Sequence, residues 1–369
     1  MDLAHLLRTF LARGNCFLTE AAVVERMRRE FQIPTDEHLV YGGAIYDDHA
    51  REVLAEIYRG YIDIACRAAM PILITSSTRR SNRERVAGSR FAHRQVNQDW
   101  MAFLREVRGD ETDSIFLGSL LGTRGDAYHP EEALPEAEAL AFHRTQCQAC
   151  LEGGADFLMA GVLPALSEAK GLARAMGETG LPFIISFIIN RAGTLLDGTP
   201  LGEAMASIDE VYPPLCYMVN CVHPDNVRAG LEAEVNRNHP ALLRLIGIQA
   251  NTSRLSPEEL DNSAELHADG AESLAEAMLA LRRDHGFQIF GGCCGTDESH
   301  LKAIAASLAE FESGAQDSSG MATRTPSWPP CAHETGQVIA RKLMSSSKDR
   351  PSDHRCASSA RDPRRPSAS

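Results

Sequence analysis

Two adjacent thiols, Cys293 and Cys294, stand inside the run Phe290-Gly291-Gly292-Cys293-Cys294-Gly295-Thr296. Neighbouring cysteines make a poor disulfide, because the bond geometry strains the peptide between them. Flanking glycines let the backbone turn sharply, so both sulfurs can point into one site and serve a soft metal. A third thiol, Cys221 in Val219-Asn220-Cys221, lies 72 residues upstream and also follows an apolar run. Three thiolates leave one tetrahedral position of Zn²⁺ open, as in catalytic rather than structural sites. A substrate thiol entering that position loses its proton. Three protein thiolates keep the centre negative and the incoming sulfur electron-rich, which suits alkyl transfer to that sulfur. The competing reading is three buried apolar cysteines, since free Cys is among the most buried residue types.

Other polar residues near these runs have plainer readings. His223 is a possible substitute ligand, but three thiolates suffice, and it reads as a loop residue before Pro224. Cys147-Gln-Ala-Cys150 has redox-motif spacing, yet it falls inside a helical pattern where both thiols share one packed face. Asn220 and Asn251 fall at the ends of apolar runs. Each could hydrogen-bond a polar ligand or satisfy its own turn.

The elements that must position these residues are legible from Pro71 onward. Continuous apolar runs occur at Pro71–Thr75, Ser114–Gly118, Asp156–Met159, Phe183–Ile188, Leu215–Asn220, Arg244–Gln249 and Gln288–Gly291. Helical stretches alternate with them, at Phe91–Val107, Glu131–Gly153, Ser167–Met176, Leu201–Val211, Asp225–Asn236 and Ala271–His285. Earlier, Ala50–Ala68 has an amphipathic helical period, and Cys16–Thr19 reads as the first strand. Uninterrupted apolar strands are those buried on both faces. Eight strand-then-helix units close most simply into a (β/α)₈ TIM barrel, whose active sites sit where strands end. Cys221 then follows strand six and the Cys293-Cys294 pair follows strand eight, so all three thiols emerge on one face. An open doubly wound sheet would want a Gly-rich turn after its first strand, and Cys16–Ala22 has none.

The chain has 369 residues, 44% hydrophobic and 24% charged, enough for a sizeable core. A net charge of -13 argues against a nucleic-acid groove or an anionic membrane surface as partner. No stretch resembles a transmembrane span, and Met1 to Phe17 lacks a signal-peptide core, so a cytoplasmic, reducing location is expected. Residues 1–313 read as the barrel domain. Residues 314–369, with nine basic against five acidic residues, are Ser-, Pro- and Arg-rich and aperiodic, and read as a disordered tail including Cys331 and Cys356.

The Gly291-Gly292-Cys293-Cys294-Gly295-Thr296 motif together with Asn220-Cys221 resembles the homocysteine S-methyltransferase family. Supporting matches are Asp197-Gly198-Thr199-Pro200-Leu201 with Glu203-Ala204, Gly118-Ser119-Leu120, and Phe142-His143-Arg144 before Gly154-Ala155-Asp156. The resemblance is good over about residues 110–312 and poor over the first hundred. It implies a (β/α)₈ barrel, zinc held by Cys221, Cys293 and Cys294, and methyl transfer to a small-molecule thiol, homocysteine giving methionine. It also implies a small sulfonium or ammonium donor, such as S-methylmethionine, S-adenosylmethionine or a betaine.

Two departures fall in the amino-acid pocket. The family's Asp-Gly-Gly turn after strand one is replaced by Thr19-Glu20-Ala21-Ala22, and its Glu-Thr after strand four by Ala160-Gly161. Glu20 is the acid placed to take over the substrate ammonium; otherwise the acceptor is a different thiol. A barrel that binds a thiol without turnover is the second reading. A hydrolase using zinc-bound water would prefer His and carboxylate ligands with a nearby base, which these strand ends do not offer. Oligomeric state is not encoded in these features.

Overall fold

The structure is a computed structural model that describes residues 3–110, 113–255 and 269–319. Eight parallel strands close into a barrel in sequence order. They are β1 (Phe17–Thr19), β2 (Ile72–Ser76), β3 (Ile115–Leu121), β4 (Phe157–Leu163), β5 (Phe183–Phe187), β6 (Cys216–Val222), β7 (Leu245–Ala250) and β8 (Ile289–Gly292). Closure is made by β8 on β1, with Phe17 opposite Ile289 and Leu18 opposite Phe290. All eight expected strands are present, so the (β/α)₈ reading holds.

Side-chain alternation divides each strand between two apolar layers. Leu18, Ile72, Ile74, Ile115, Leu117, Leu158, Ile185, Tyr217, Val219 and Ile248 face outward, against the surrounding helices. Phe17, Leu73, Phe116, Phe157, Met159, Ile184, Cys216, Met218 and Ile289 fill the interior. Leu7, Phe10 and Leu11 of the first helix, Leu3–Ala12, join that interior cluster, with the Phe10 and Phe17 rings 6.4 Å apart. The helix thus covers the N-terminal end of the barrel. Each buried aromatic ring of this kind contributes about 1.5–3 kcal/mol.

Two residues further along the strands the interior becomes polar. Thr19, Thr75, Ser186, Asn220 and Gln249 follow the inward residues Phe17, Leu73, Ile184, Met218 and Gly247, and all five are buried. They are satisfied among themselves and their neighbours: Gln249 donates to Thr19 Oγ1 at 3.0 Å and Ser186 donates to Asn220 Oδ1 at 2.8 Å. This layer is the floor on which the C-terminal face of the barrel rests.

Several expected boundaries move. Residues 91–95 precede the helix Val96–Arg108 rather than opening it, because Ser89 accepts from the Phe91 N–H and fixes a turn there. Between β1 and Asp48 the chain forms only short helices, among them Val24–Arg29. Ala160 and Gly161, expected just beyond β4, lie inside it, because the strand runs on to Leu163 through a bulge. The final helix, Glu298–Ser319, continues six residues past the expected domain boundary, carrying Gly314 at a tolerable cost of about 1 kcal/mol. The rest of the expected tail, residues 320–369, lies outside the described residues.

Candidate metal centre

The three thiols predicted to converge do so. The sulfurs of Cys221, Cys293 and Cys294 all lie within 4.8 Å of one another. A zinc ion bonded at about 2.3 Å to each would hold them about 3.8 Å apart, so a small adjustment completes the site. Cys221 is buried, Cys293 half-buried and Cys294 exposed, which leaves the cluster open toward the barrel mouth.

Local backbone devices bring each sulfur there. Asn220 pairs with Gln249 and Val222 with Ala250, so Cys221 is the extra residue of a bulge in β6. Its φ of 58° is left-handed, a conformation that costs a non-glycine residue about 1–3 kcal/mol and is concentrated at functional sites. Gly295 has φ 81°, and a Cβ there would come within 2.0 Å of Thr252 Oγ1, so only glycine completes the turn after the cysteine pair. The Cys293 N–H donates to the Ala250 carbonyl at 2.7 Å, continuing the β7–β8 ladder for one step.

Asn251 joins the two halves of the cluster. Its Nδ2 donates to the Cys221 carbonyl at 2.9 Å, and its Oδ1 accepts from the Cys294 N–H at 3.1 Å. Both ends of the amide are therefore engaged with the cysteine backbones, not turned toward a ligand. Thr296 does similar work at the rim: its hydroxyl donates to the Cys293 carbonyl at 2.7 Å and accepts from the Ala22 N–H at 3.1 Å.

The thiols do not ionise equally. Hydrogen bonds from Cys221 and Cys293 lower the Cys294 thiol well below its ordinary value, with the Arg79 and Arg29 charges assisting. The hydrogen-bonding thiols Cys221 and Cys294, together with burial, raise Cys293. Cys221 is also raised: the Cys293 hydrogen bond favours its thiolate, but the bond to Cys294, burial and the Cys294 charge outweigh it. A cation at the centre would resolve this frustration by replacing the shared protons.

The other predicted residues are accounted for as follows. Asn220 Oδ1 accepts from the Val162 N–H at 2.9 Å as well as from Ser186, tying the β4 bulge to β5 and β6. Glu20 is buried at the end of β1, where the Thr75 N–H donates to Oε2 at 3.2 Å and the Thr75 hydroxyl donates to Oε1. Burial raises its carboxyl to about 7. His223 stands outside the cluster and caps the helix Pro224–Glu232, its Nδ1 accepting from the Asp225 N–H at 3.1 Å. Cys147 and Cys150 are core thiols, fully buried.

Three residues near the cluster were not singled out in the sequence. Glu25 accepts from the Gly295 N–H and pairs with Arg29 at 3.1 Å. Arg79, beyond β2, carries a charge that acts on Cys221 and Cys294. Tyr128, beyond β3, is raised by burial and then by the charges of the three cysteines. The loop bearing Tyr128 is anchored by buried Glu168, which accepts from the Arg124 N–H at 2.8 Å and the Leu134 N–H at 3.2 Å and meets His143 Nε2 at 2.8 Å. The Phe142-His143-Arg144 motif contained the one legible trace of this arrangement.

A closed parallel barrel with three converging thiols at the C-terminal ends of β6 and β8 defines a (β/α)₈ protein with a cysteine cluster that could hold a soft metal. The chain belongs to the homocysteine S-methyltransferase family, whose model matches residues 20–308. It is 29% identical over 186 residues to the homocysteine S-methyltransferase YbgG of Bacillus subtilis, covering 49% of this chain and 56% of that one. It is 26% identical over 231 residues to the S-methylmethionine–homocysteine S-methyltransferase BHMT2 of Pongo abelii, covering 58% and 60%. The alignments thus span less than two thirds of either relative. The metallated form of the homocysteine methyltransferase MmuM from Escherichia coli shares the fold, with a TM-score of 0.62 over 82% of this chain and 99% of that one, at 20% identity.

Proposed function

We propose that this protein is a zinc-dependent S-methyltransferase that moves a methyl group from a small sulfonium or ammonium donor to a thiol, homocysteine giving methionine. The observation that carries this reading is the convergence of the Cys221, Cys293 and Cys294 sulfurs within 4.8 Å on the strand-end face of the barrel. Zinc held by these three residues would supply an open position at which a thiol is bound as its thiolate. The chain's own groups do the rest. Asn251 and Thr296 hold the cysteine backbones in register. Buried Glu20 offers a carboxylate for the substrate ammonium, in the half of the pocket where the family's usual acids are missing. Arg79 and Tyr128 follow β2 and β3 on the same face, and the Arg79 charge favours the thiolate forms of Cys221 and Cys294. The related S-methylmethionine–homocysteine S-methyltransferase supports a sulfonium donor.

The decisive experiment combines metal analysis with X-ray absorption in the presence and absence of homocysteine. One zinc per chain with three sulfur neighbours, rising to four when homocysteine is added, is the expected result. Cys294→Ser is expected to lose most of the metal, because a hard hydroxyl replaces a soft thiolate, whereas Cys147→Ser retains it. Full zinc occupancy in Cys294→Ser would sink the assignment. Thiol entry without methyl transfer from any sulfonium or betaine donor would establish the non-catalytic reading instead.

A further inference from the structure

Arg79 is held in an unusual way for an arginine that is not fully exposed. The backbone on either side is fixed: Gln146 Nε2 donates to the Thr78 carbonyl at 3.0 Å, and Arg80 donates to the Gly125 carbonyl. The Thr78 hydroxyl donates to the Leu120 carbonyl at 3.0 Å, so β2's extension is pinned to β3. The Arg79 stem lies directly over Gly122, where a Cβ would come within 2.4 Å of its Cγ. This close approach gives the side chain a defined course.

Its guanidinium ends without an acceptor. Among the described residues, no carboxylate or carbonyl receives a hydrogen bond from Arg79, and its place just past the C-terminal end of β2 puts it on the barrel face from which the three thiols emerge. The other partly buried arginines differ. Arg26 meets Glu298, Arg108 meets Asp156, Arg244 meets Asp209 and Arg282 meets Glu312. A guanidinium anchored at its base on the face that carries the three thiols, and with no acceptor among the described residues, is complementary to an anionic ligand, and its planar fork suits a carboxylate.

We infer that Arg79 binds the carboxylate of the acceptor thiol, so that the acceptors of this site are mercapto acids rather than neutral thiols. The inference rests on the cluster's reading as a thiol-binding metal centre. It moves carboxylate recognition to the β2 loop, while Glu20, hydrogen-bonded to Thr75 at the end of the same strand, remains available for an ammonium. An Arg79 that merely stabilised the cysteine thiolates would act on every acceptor alike, so acceptor selectivity is the discriminating readout.

The test uses the full zinc-loaded chain with four acceptors: homocysteine, 3-mercaptopropionate, cysteamine and ethanethiol. Their binding is measured by thiolate absorption in cobalt-substituted protein, and their turnover by kcat/KM with S-methylmethionine. In Arg79→Gln the preference for the two carboxylate-bearing thiols over the other two should fall about tenfold or more, with partial recovery in Arg79→Lys. Retained metal in both variants shows that the site is assembled. Equal losses on all four acceptors, or no loss on any, would overturn the inference. If wild-type protein binds thiols but transfers no methyl group, the proposed reaction fails while the binding preferences still decide the role of Arg79. Wild-type protein that binds no thiol overturns both.

Discussion

Burial raises the Glu20 carboxyl from an ordinary value near 4.5 to about 7, against opposing hydrogen bonds from Thr75 and Gln249. An unfolded chain would release this proton near the lower value. Between the two, the folded chain binds more protons, so stability falls as pH rises through this window and the deficit is complete above about 7. A shift of this size corresponds to about 3 kcal/mol. Glu20→Gln should therefore be more stable than wild type at pH 8, by up to about 3 kcal/mol, with a smaller difference at pH 4; urea midpoints at both values check this. The same variant should raise the homocysteine KM about tenfold, equivalent to ~1.4 kcal/mol, if Glu20 holds the ammonium. Equal stability of the two proteins at both pH values would mean that Glu20 is solvated. Asn251 makes the complementary case, because its amide serves the cysteines rather than the acceptor. Asn251→Ala leaves the Cys294 N–H and Cys221 carbonyl without their partner, and should weaken zinc binding about 10- to 100-fold, measured by chelator competition. Unchanged zinc affinity would show that the cysteine turns hold themselves.

The elements divide into those written locally and those written through space. Strands were legible because both their faces are buried, which makes them continuous apolar runs, and the cysteine motifs were legible because they directly follow such runs. Asn251 was legible as a polar residue at the end of a strand, but its bond to the Cys221 carbonyl was not, since it crosses 30 positions of sequence. Arg79, Tyr128 and Glu25 reach the cluster from β2, β3 and β1, and nothing local to them encodes that meeting. The loop between β3 and the helix Glu136–Glu152 depends on Glu168 from a different unit, 44 residues beyond the Arg124 amide it holds. Glu168→Ala removes the acceptor for two backbone N–H groups and the partner of buried His143. It should destabilise the protein by about 2–4 kcal/mol. Hydrogen exchange should accelerate at the Arg124 and Leu134 amides, while zinc content is retained. Unaltered protection at those amides would show that the loop is held by other contacts.

At the scale of the whole molecule, closure of the barrel and occupation of the centre are separable. The β8–β1 ladder joins Phe17 to Ile289 and Leu18 to Phe290, and the interior is filled by aromatic and aliphatic side chains below the polar layer. None of those contacts needs a metal. The cysteine pair lies beyond the end of β8, so a chelator should strip zinc from a chain that remains folded. Trp100 provides an independent probe of the fold: it is fully buried on the helix Val96–Arg108, and its Nε1 donates to the Gly42 carbonyl at 2.7 Å. Zinc that binds only the folded chain raises Tm by mass action, so the increase should depend on free zinc concentration while the apo protein still melts cooperatively. Acid should separate the two events further. Zinc requires three deprotonated thiols, and proton competition at Cys221 and Cys293, both raised by their neighbours and by burial, weakens the centre as pH falls. Metal release, followed with a chromogenic chelator, should therefore occur at a higher pH than the change in Trp100 fluorescence. Coincidence of the two at every pH would mean that zinc holds the barrel together, and would point to a structural rather than a catalytic centre.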